Sequence, residues 1–561
     1  MWLGGDLFHW FDWVVVAATL GVSLAIGIYY ALKGNKSNED LLVGGRNMAV
    51  LPVAASIMVT YVSAITVLGF PAEVYSFGGQ IVMINIMSAI AVGFSAFLFV
   101  PYFYKMKLTS INEYLEHRFH STLVRRLASF TFILQQITLT SVILYAPSLA
   151  LEAFLSFPVW LSILSVGLCS TIYTSVGGLR AVVFTDLFQS VMMVAGMVAI
   201  VIKGFSSVGG VGEAFRRAND GGRFNFIDTT FDPFMRHNIW NFLVGTTFYA
   251  IMQPAVHQLQ VQRYCSMPTL AKAKSVILCS VPFKLLIIGL CLLSGISIFA
   301  MYDGCDPFKL NKIKKVDQIV PYFVVEEMAS IPGMLGLFTA CIFSAVLSSV
   351  SSALNSLAAV TWEDFLKGRK LFAEMTPTAQ ANTTRVIGFL YGVLIISLAF
   401  LAQNLGALYS ATYAAVGATA GAIYGVFILG MAFPKANTRG ATLGLVIGLG
   451  SMMFISVMAF VKKKTLPHLP TSIDQCPQSN GTVIKSMEPV EEIESWAEKI
   501  FQLSYLLYSL VAAIITVTTG LLFSVGSNSK GVCTDVKYLH PAIRKFVRID
   551  IARNSTNDDK I

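Results

Sequence analysis

The chain has 561 residues, 55% of them hydrophobic and only 13% charged, with a formal net charge of +9 and a mean hydropathy of +0.68. A soluble domain carries about 25% charged residues to wet its surface, so this composition excludes an ordinary soluble protein of three or four domains. No basic–aromatic interleaving accompanies the positive charge, so nucleic acid is not an expected partner.

The first apolar run, 11–32, is too long for the hydrophobic region of a signal peptide. No basic residue precedes it, and Lys33 and Lys36 follow it, so it reads as a membrane helix with its N-terminus outside. Further runs near 50–76, 79–104, 122–150, 158–177, 181–204, 238–261, 275–301, 332–360, 385–403, 408–432, 440–461 and 501–526 bring the total to about 13 transmembrane helices. Each matches a hydrocarbon core of about 30 Å. The expected fold class is an all-α polytopic membrane protein embedded in a lipid bilayer.

An odd number of spans puts the termini on opposite sides. With the N-terminus extracellular and the C-terminus cytoplasmic, the inner segments hold 25 of the 40 Lys and Arg residues and the outer ones 14, with Lys284 inside a span. That bias follows the positive-inside rule, and the net charge becomes a topology signal. Asn480, in the sequon Asn480-Gly481-Thr482, falls in the expected outer loop 462–500 and is a candidate glycosylation site. The eight cysteines have no metal spacing. Cys305 and Cys476 both fall in outer loops, where a disulfide and two separate thiols are both open. The tail 527–561 carries seven Lys and Arg; it is expected in the cytoplasm, solvated or touching anionic lipid.

Lipid cannot satisfy a broken backbone, so an interrupted helix must line protein or a water-filled cavity. The second span, LPVAASIMVTYVSAITVLGFPAEVY, carries Thr60, Ser63 and Thr66 and then Gly69, Pro71 and Glu73. The seventh, NFLVGTTFYAIMQPAVHQLQVQRY, carries Tyr249, Gln253, Pro254 and His257. These spans open two five-helix blocks, 50–204 and 238–432. Paired broken helices in corresponding positions point to an inverted-repeat transporter, although proline kinks also pair by accident. The remaining segments are an N-terminal helix and inner loop (1–49), an extracellular loop (205–237), and two C-terminal helices with a glycosylated outer loop (433–526).

The ninth span contains SAVLSSVSSALNSLAAVTWEDF. At 3.6 residues per turn Ser348, Ser352 and Asn355 share a face, joined by Ser344. Neutral hydroxyl and carbonyl oxygens suit a hard cation such as sodium. Small hydroxyl residues also let membrane helices pack closely, so spacing leaves both readings open. Asp186 opens the sixth span and is a candidate by virtue of its charge; the alternative is a solvated group or a pair with Arg180. His257 reads as a pH-sensitive group or as a hydrogen-bonded packing residue. No Arg or Lys stands in the central breaks to pair a carboxylate. There is no intramembrane metal cluster or paired nucleophile and base, so no enzyme and no organic cofactor are expected.

These stretches, with YTSVGGLRAVVFTDLFQ and QLQVQRYCS, resemble the sodium:solute symporter family over nearly the whole chain. LGFPAEVYSFGG and AAVTWEDF look most like its multivitamin, monocarboxylate and iodide transporter branch. The resemblance implies an inverted five-plus-five repeat, LeuT-like, with one preceding and two following helices. It implies a sodium site formed by the carbonyls of Val59, Val62 and Ala345 and the hydroxyls of Ser348 and Ser349, with Asp186 supporting sodium coupling. It implies a second ion or substrate near Tyr61, Ser63, Thr66 and Tyr145. His257 replaces an Asn common in relatives, and Thr66 stands where the iodide transporter has Gln, which argues against iodide. The expected function is sodium-coupled import of a small organic anion, a monocarboxylate or a vitamin such as pantothenate or biotin, across the plasma membrane. A sodium-gated channel and a non-transporting solute sensor are the alternatives on the same fold.

Overall fold

A computed structural model describes residues 8–33, 37–155, 158–401, 408–462, 468–476, 496–525 and 536–544. Among the described residues there is no β-strand. The helices are α1 (Trp10–Leu32), α2 (Asn38–Val43), α3 (Val50–Tyr61), α4 (Ala64–Phe77), α5 (Val82–Leu98), α6 (Val100–Tyr104), α7 (Glu113–Phe119), α8 (Thr122–Leu155), α9 (Val159–Val208), α10 (Val211–Asp220) and α11 (Ile239–Asn241). They continue as α12 (Thr247–Val256), α13 (Gln258–Tyr264), α14 (Leu270–Met301), α15 (Ile319–Met328), α16 (Met334–Thr361), α17 (Lys370–Ala373), α18 (Pro377–Leu401), α19 (Leu408–Ala432), α20 (Thr438–Val461), α21 (Trp496–Lys499) and α22 (Tyr508–Val525). Nine helical segments among the described residues are long and apolar enough to cross a membrane.

The sequence separates 158–177 from 181–204, and the structure interrupts α9 between these two stretches. The change of direction sits at Gly178, whose φ of 63° is readily adopted only without a Cβ. A Cβ there would also meet the Leu41 carbonyl at 2.5 Å.

Side chains sort by solvent. On α5, Ile90, Phe94 and Phe97 are exposed, while Ser88, Val92 and Ser95 are buried. Both sets follow helical spacing, so the bulky apolar stripe faces outward and the stripe of smaller residues, two of them serines, faces inward, as a lipid environment favours. On α20 a Cβ at Gly444 or Gly448 would meet Thr516 of α22 at 2.5 or 2.0 Å, so glycine there permits close helix approach.

The loops that the charge bias assigns to one side meet at one end of the bundle. Arg46 donates to the Lys107 carbonyl (2.8 Å) and Arg118 to the Gly430 and Phe433 carbonyls (2.7 and 2.8 Å). The loops assigned to the other side meet at the opposite end. Cys305 is disulfide-bonded to Cys476, which settles the pairing the sequence leaves open. Arg223 donates to the Tyr75 and Pro470 carbonyls, and Arg236 is paired with Glu73 and stacked on Phe77 and Tyr505. Asn480 lies outside the described residues.

Candidate functional site

Two interrupted helices frame the centre. After Tyr61 the backbone extends at Val62 (φ −115°, ψ 102°) and Ser63 (φ −95°, ψ 172°) before α4 begins. The Val62 amide donates to the Val59 carbonyl (3.3 Å), and the Ser63 carbonyl accepts from Thr66 and Val67. The other break is His257 (φ −82°, ψ 123°), whose carbonyl accepts from Gln260 and Val261. Both breaks fall inside the segments expected to be discontinuous, but not at their prolines. Pro71 lies within α4 and Pro254 within α12. A proline lacks an N–H to donate backwards, yet here the chain absorbs the interruption several residues upstream or downstream of it.

On α16 the Ala345 carbonyl accepts hydrogen bonds from Ser348 Oγ (3.2 Å) and Ser349 Oγ (2.9 Å). Ser348 and Ala345 are buried and Ser349 is half-buried. The end of α3, with Val59 and Val62 buried, belongs to a helix packed on α16. Helix ends leave carbonyls without intrahelical partners, so neutral oxygens from α3 and α16 are held on neighbouring helices. That is a donor set of the kind a sodium ion accepts.

Asp186 is neither solvated nor paired with Arg180. It is fully buried (0% exposed); Oδ2 accepts from Ser56 Oγ at 2.5 Å and from the Arg263 guanidinium at 3.3 Å. Arg263 also donates to Ser56 Oγ (2.7 Å), Ser352 Oγ (2.5 Å) and the Leu259 carbonyl (2.8 Å). One guanidinium thus ties α13 to α3, α9 and α16, and it engages Ser352 from the predicted hydroxyl face. Arg180 instead lies 3.7 Å from Asp40 and donates to the Gly44 carbonyl. Asp186 Oδ1 has no hydrogen-bond partner among the described residues, leaving one carboxylate oxygen available.

A cation does stand at the first break, contrary to the expectation. Lys284 of α14 is 9% exposed. Its Nζ lies 4.7 Å from the centroid of the Tyr61 ring and donates to Ser88 Oγ at 2.9 Å. No carboxylate pairs with it among the described residues. The Tyr61 hydroxyl is buried without a hydrogen-bond partner among them. Across from Tyr61, Gln253 donates to the Tyr249 hydroxyl (3.1 Å), and the Tyr249 ring lies 6.1 Å from that of Tyr424. Thr66 is buried and Ser63 half-buried beside the break; Tyr145 is buried on α8, which packs on α4.

His257 lines a pocket with Phe132, Gln135, Gln258 and Tyr424. Its Nδ1 has no hydrogen-bond partner among the described residues, nor do Gln135 Oε1 and the Tyr424 hydroxyl. The ring meets Phe132 edge-on at 5.9 Å.

Three further buried charges carry contacts that the local sequence does not announce. Lys284 was visible as a charge inside a span. Arg263 sits within the recognised QVQRY stretch. Asp364 of TWEDF is buried at one end of the bundle, accepting from Ser110 (2.8 Å), Ser129 (2.5 Å) and Arg125 (2.7 Å).

A membrane bundle with two broken helices, neutral oxygens on neighbouring helices and a buried cation that meets no carboxylate among the described residues has the architecture of a secondary transporter. The sodium:solute symporter family profile matches residues 41–448, and the chain belongs to that family. It is 35% identical over 546 residues to sodium-coupled monocarboxylate transporter 2 of Mus musculus, covering 96% of this chain and 87% of that protein. It is 34% identical to sodium-coupled monocarboxylate transporter 1 of Homo sapiens (95% and 90% covered) and 35% identical to the sodium-dependent multivitamin transporter of Oryctolagus cuniculus (97% and 86%). A substrate-bound, outward-open Na+-coupled sialic acid symporter superposes with a TM-score of 0.77 at 23% identity, covering 93% of this chain and 98% of that one. That likeness carries the fold, which is LeuT-like. The chain is a multi-pass membrane transporter whose work is sodium-coupled symport.

Proposed function

We propose that the chain imports a small organic anion together with sodium by alternating access, and that Lys284 supplies the counter-charge for the solute's carboxylate. The observation that carries this reading is the Lys284 ammonium, buried at the first helix break over Tyr61 and without a carboxylate among the described residues. A buried, unpaired charge costs several kcal/mol, a cost that a bound carboxylate offsets. The names of the monocarboxylate and multivitamin relatives point to the same solute class. Tyr61, Ser63, Thr66, Tyr145, Tyr249, Gln253 and His257 surround the solute path in this reading.

Sodium takes the Val59, Val62 and Ala345 carbonyls and the Ser348 and Ser349 hydroxyls. It joins α3 to α16 while the solute occupies the break. Asp186 steadies this arrangement through Ser56. The blocks 50–204 and 238–432 then rock about the common site. In this reading the end carrying α7, where the loops favoured by the positive-inside bias meet, lies in the cytoplasm and the disulfide-bonded end outside, at the plasma membrane. Sodium supplies the driving force, about 2.3 kcal/mol per charge per 100 mV from the membrane potential alone.

Uptake of labelled lactate, nicotinate, pantothenate, biotin, a sugar and iodide, with sodium and with choline replacing it, tests the proposal. Saturable sodium-dependent uptake of one organic anion is expected, with Lys284→Gln abolishing it at unchanged surface amount. Uptake of a neutral solute alone, or anion uptake unaffected by Lys284→Gln, would overturn it.

A further inference from the structure

Residues 536–544, expected to lie solvated in a polar tail, are instead docked on the end of the bundle that carries α7. The Tyr538 carbonyl accepts from the Tyr102 hydroxyl (2.6 Å) and the Tyr114 hydroxyl (2.9 Å). The His540 amide donates to the Met431 carbonyl (3.0 Å), and its ring Nε2 lies 3.2 Å from the Leu98 carbonyl. Leu539 is buried between these contacts, 1% exposed. The Tyr538 ring stacks on His117 at 5.7 Å, and the Arg544 guanidinium lies over the Tyr102 ring at 5.9 Å.

Leu98 ends α5 and Tyr102 lies within α6, both in the block 50–204. Met431 lies in the last turn of α19, in the block 238–432. The segment therefore bridges the two blocks on one face through short backbone hydrogen bonds and a buried leucine. Tyr102 and Tyr114 are themselves buried, and a buried hydroxyl that loses its acceptor is costly. The bridge thus favours whichever arrangement keeps the α5–α6 and α19 ends together.

We propose that residues 536–544 form a clip between the α5–α6 end and the α19 end that releases when these ends move apart during transport, so that it acts as a built-in brake on the cycle. The inference rests on the alternating-access reading but not on the identity of the solute. A conformer favoured only by the clip loses its advantage when the clip is removed, and a tenfold shift in a two-state equilibrium needs only about 1.4 kcal/mol.

The test uses the full chain. In Met431→Cys/His540→Cys the paired backbones place two thiols close enough for a short bifunctional maleimide, with the unsubstituted chain and the two single substitutions as controls for the native thiols. The expected result is an intramolecular cross-link, formed with or without any solute, and a loss of sodium-dependent uptake of about fivefold or more in the cross-linked protein only. No cross-link would overturn the docking. A cross-link with undiminished uptake would overturn the brake, because the clip would then stay closed through the cycle. In a second arm, Leu539→Asp and, separately, Tyr102→Phe/Tyr114→Phe release the clip. Uptake per surface molecule is expected to rise about threefold; an unchanged or lower rate in both would overturn the proposal. Failure of the symport reading shows itself separately, as absence of sodium-dependent uptake in the unmodified chain.

Discussion

The guanidinium of Arg263 lies 3.3 Å from Asp186 Oδ2, and both groups bond to the hydroxyl of Ser56, so that a single charge pair joins α13, α9 and α3. Both side chains are buried, Asp186 at 0% and Arg263 at 2% exposure. Removing one partner of a buried pair costs about 3–5 kcal/mol, whereas replacing both by groups of similar shape costs far less. Arg263→Met alone and Asp186→Asn alone are therefore each expected to lower thermal stability in detergent strongly, and the double variant is expected to recover part of the loss. A double variant as unstable as the sum of the singles would show that the two side chains act independently.

Ser348 and Ser349 both donate to the Ala345 carbonyl, so each keeps lone pairs for a cation. Removing two oxygens worth about 1 kcal/mol each is expected to raise the sodium concentration for half-maximal uptake by about tenfold or more in Ser348→Ala/Ser349→Ala. The surface amount should not change. A sodium titration of uptake checks this, and an unshifted curve would remove both residues from the site.

Asp12 of α1 reaches across to α16. Its Oδ1 accepts from the Gly336 amide (2.7 Å) and its Oδ2 from the His9 amide (2.8 Å). The residue preceding α16 is Gly333, which has no side chain to cap the helix, so a residue more than 300 positions away does so. Asp12→Ala is expected to destabilise the protein by about 1–2 kcal/mol, seen as a lower melting temperature with the half-saturating solute concentration unchanged. A melting temperature equal to that of the parent would refute the capping role.

At the disulfide-bonded end, burial, followed by the nearby charge of Glu73, pushes the Asp317 carboxyl up to about 6; Lys315 and Arg236 oppose the shift. A carboxyl whose folded-state pKa exceeds its unfolded value destabilises the fold when ionised. Stability is therefore lost as pH rises through about 6 and regained as pH falls below it. Melting temperature is expected to rise as pH is lowered from about 7.5 towards about 5.5. In Asp317→Asn this increment should be smaller, and the variant should be more stable than the parent at the higher pH. Parallel pH profiles for the two proteins would exclude Asp317 as the origin.

Much of the architecture was legible beforehand, because hydropathy over about 20 residues is a direct consequence of bilayer thickness. The spans, the two interrupted helices and the serine-rich face of α16 all follow from local composition and a 3.6-residue period. The breaks themselves were displaced from the residues that announced them. Proline and glycine mark where a helix is weak, while neighbouring helices decide where it opens. Val62–Ser63 and His257 are extended although Pro71 and Pro254 are helical.

Charge partnership was not legible in the same way. Asp186 stood six residues from Arg180, yet its partner is Arg263, and Lys284 came to lie over Tyr61, more than 200 positions earlier. Periodicity reports which face of its own helix a side chain occupies. It carries no information about which other helix that face will meet. By itself the sequence determined a polytopic, sodium-coupled symporter of a recognisable family, since membrane burial and family motifs are properties of contiguous residues. Only the tertiary structure decided the Arg263–Asp186 pair, the cation at the first break, the Cys305–Cys476 bond and the docking of residues 536–544. In a low-dielectric interior each buried polar group is held by whatever partner the packed helices bring within about 3 Å, and that distance is set by the fold as a whole.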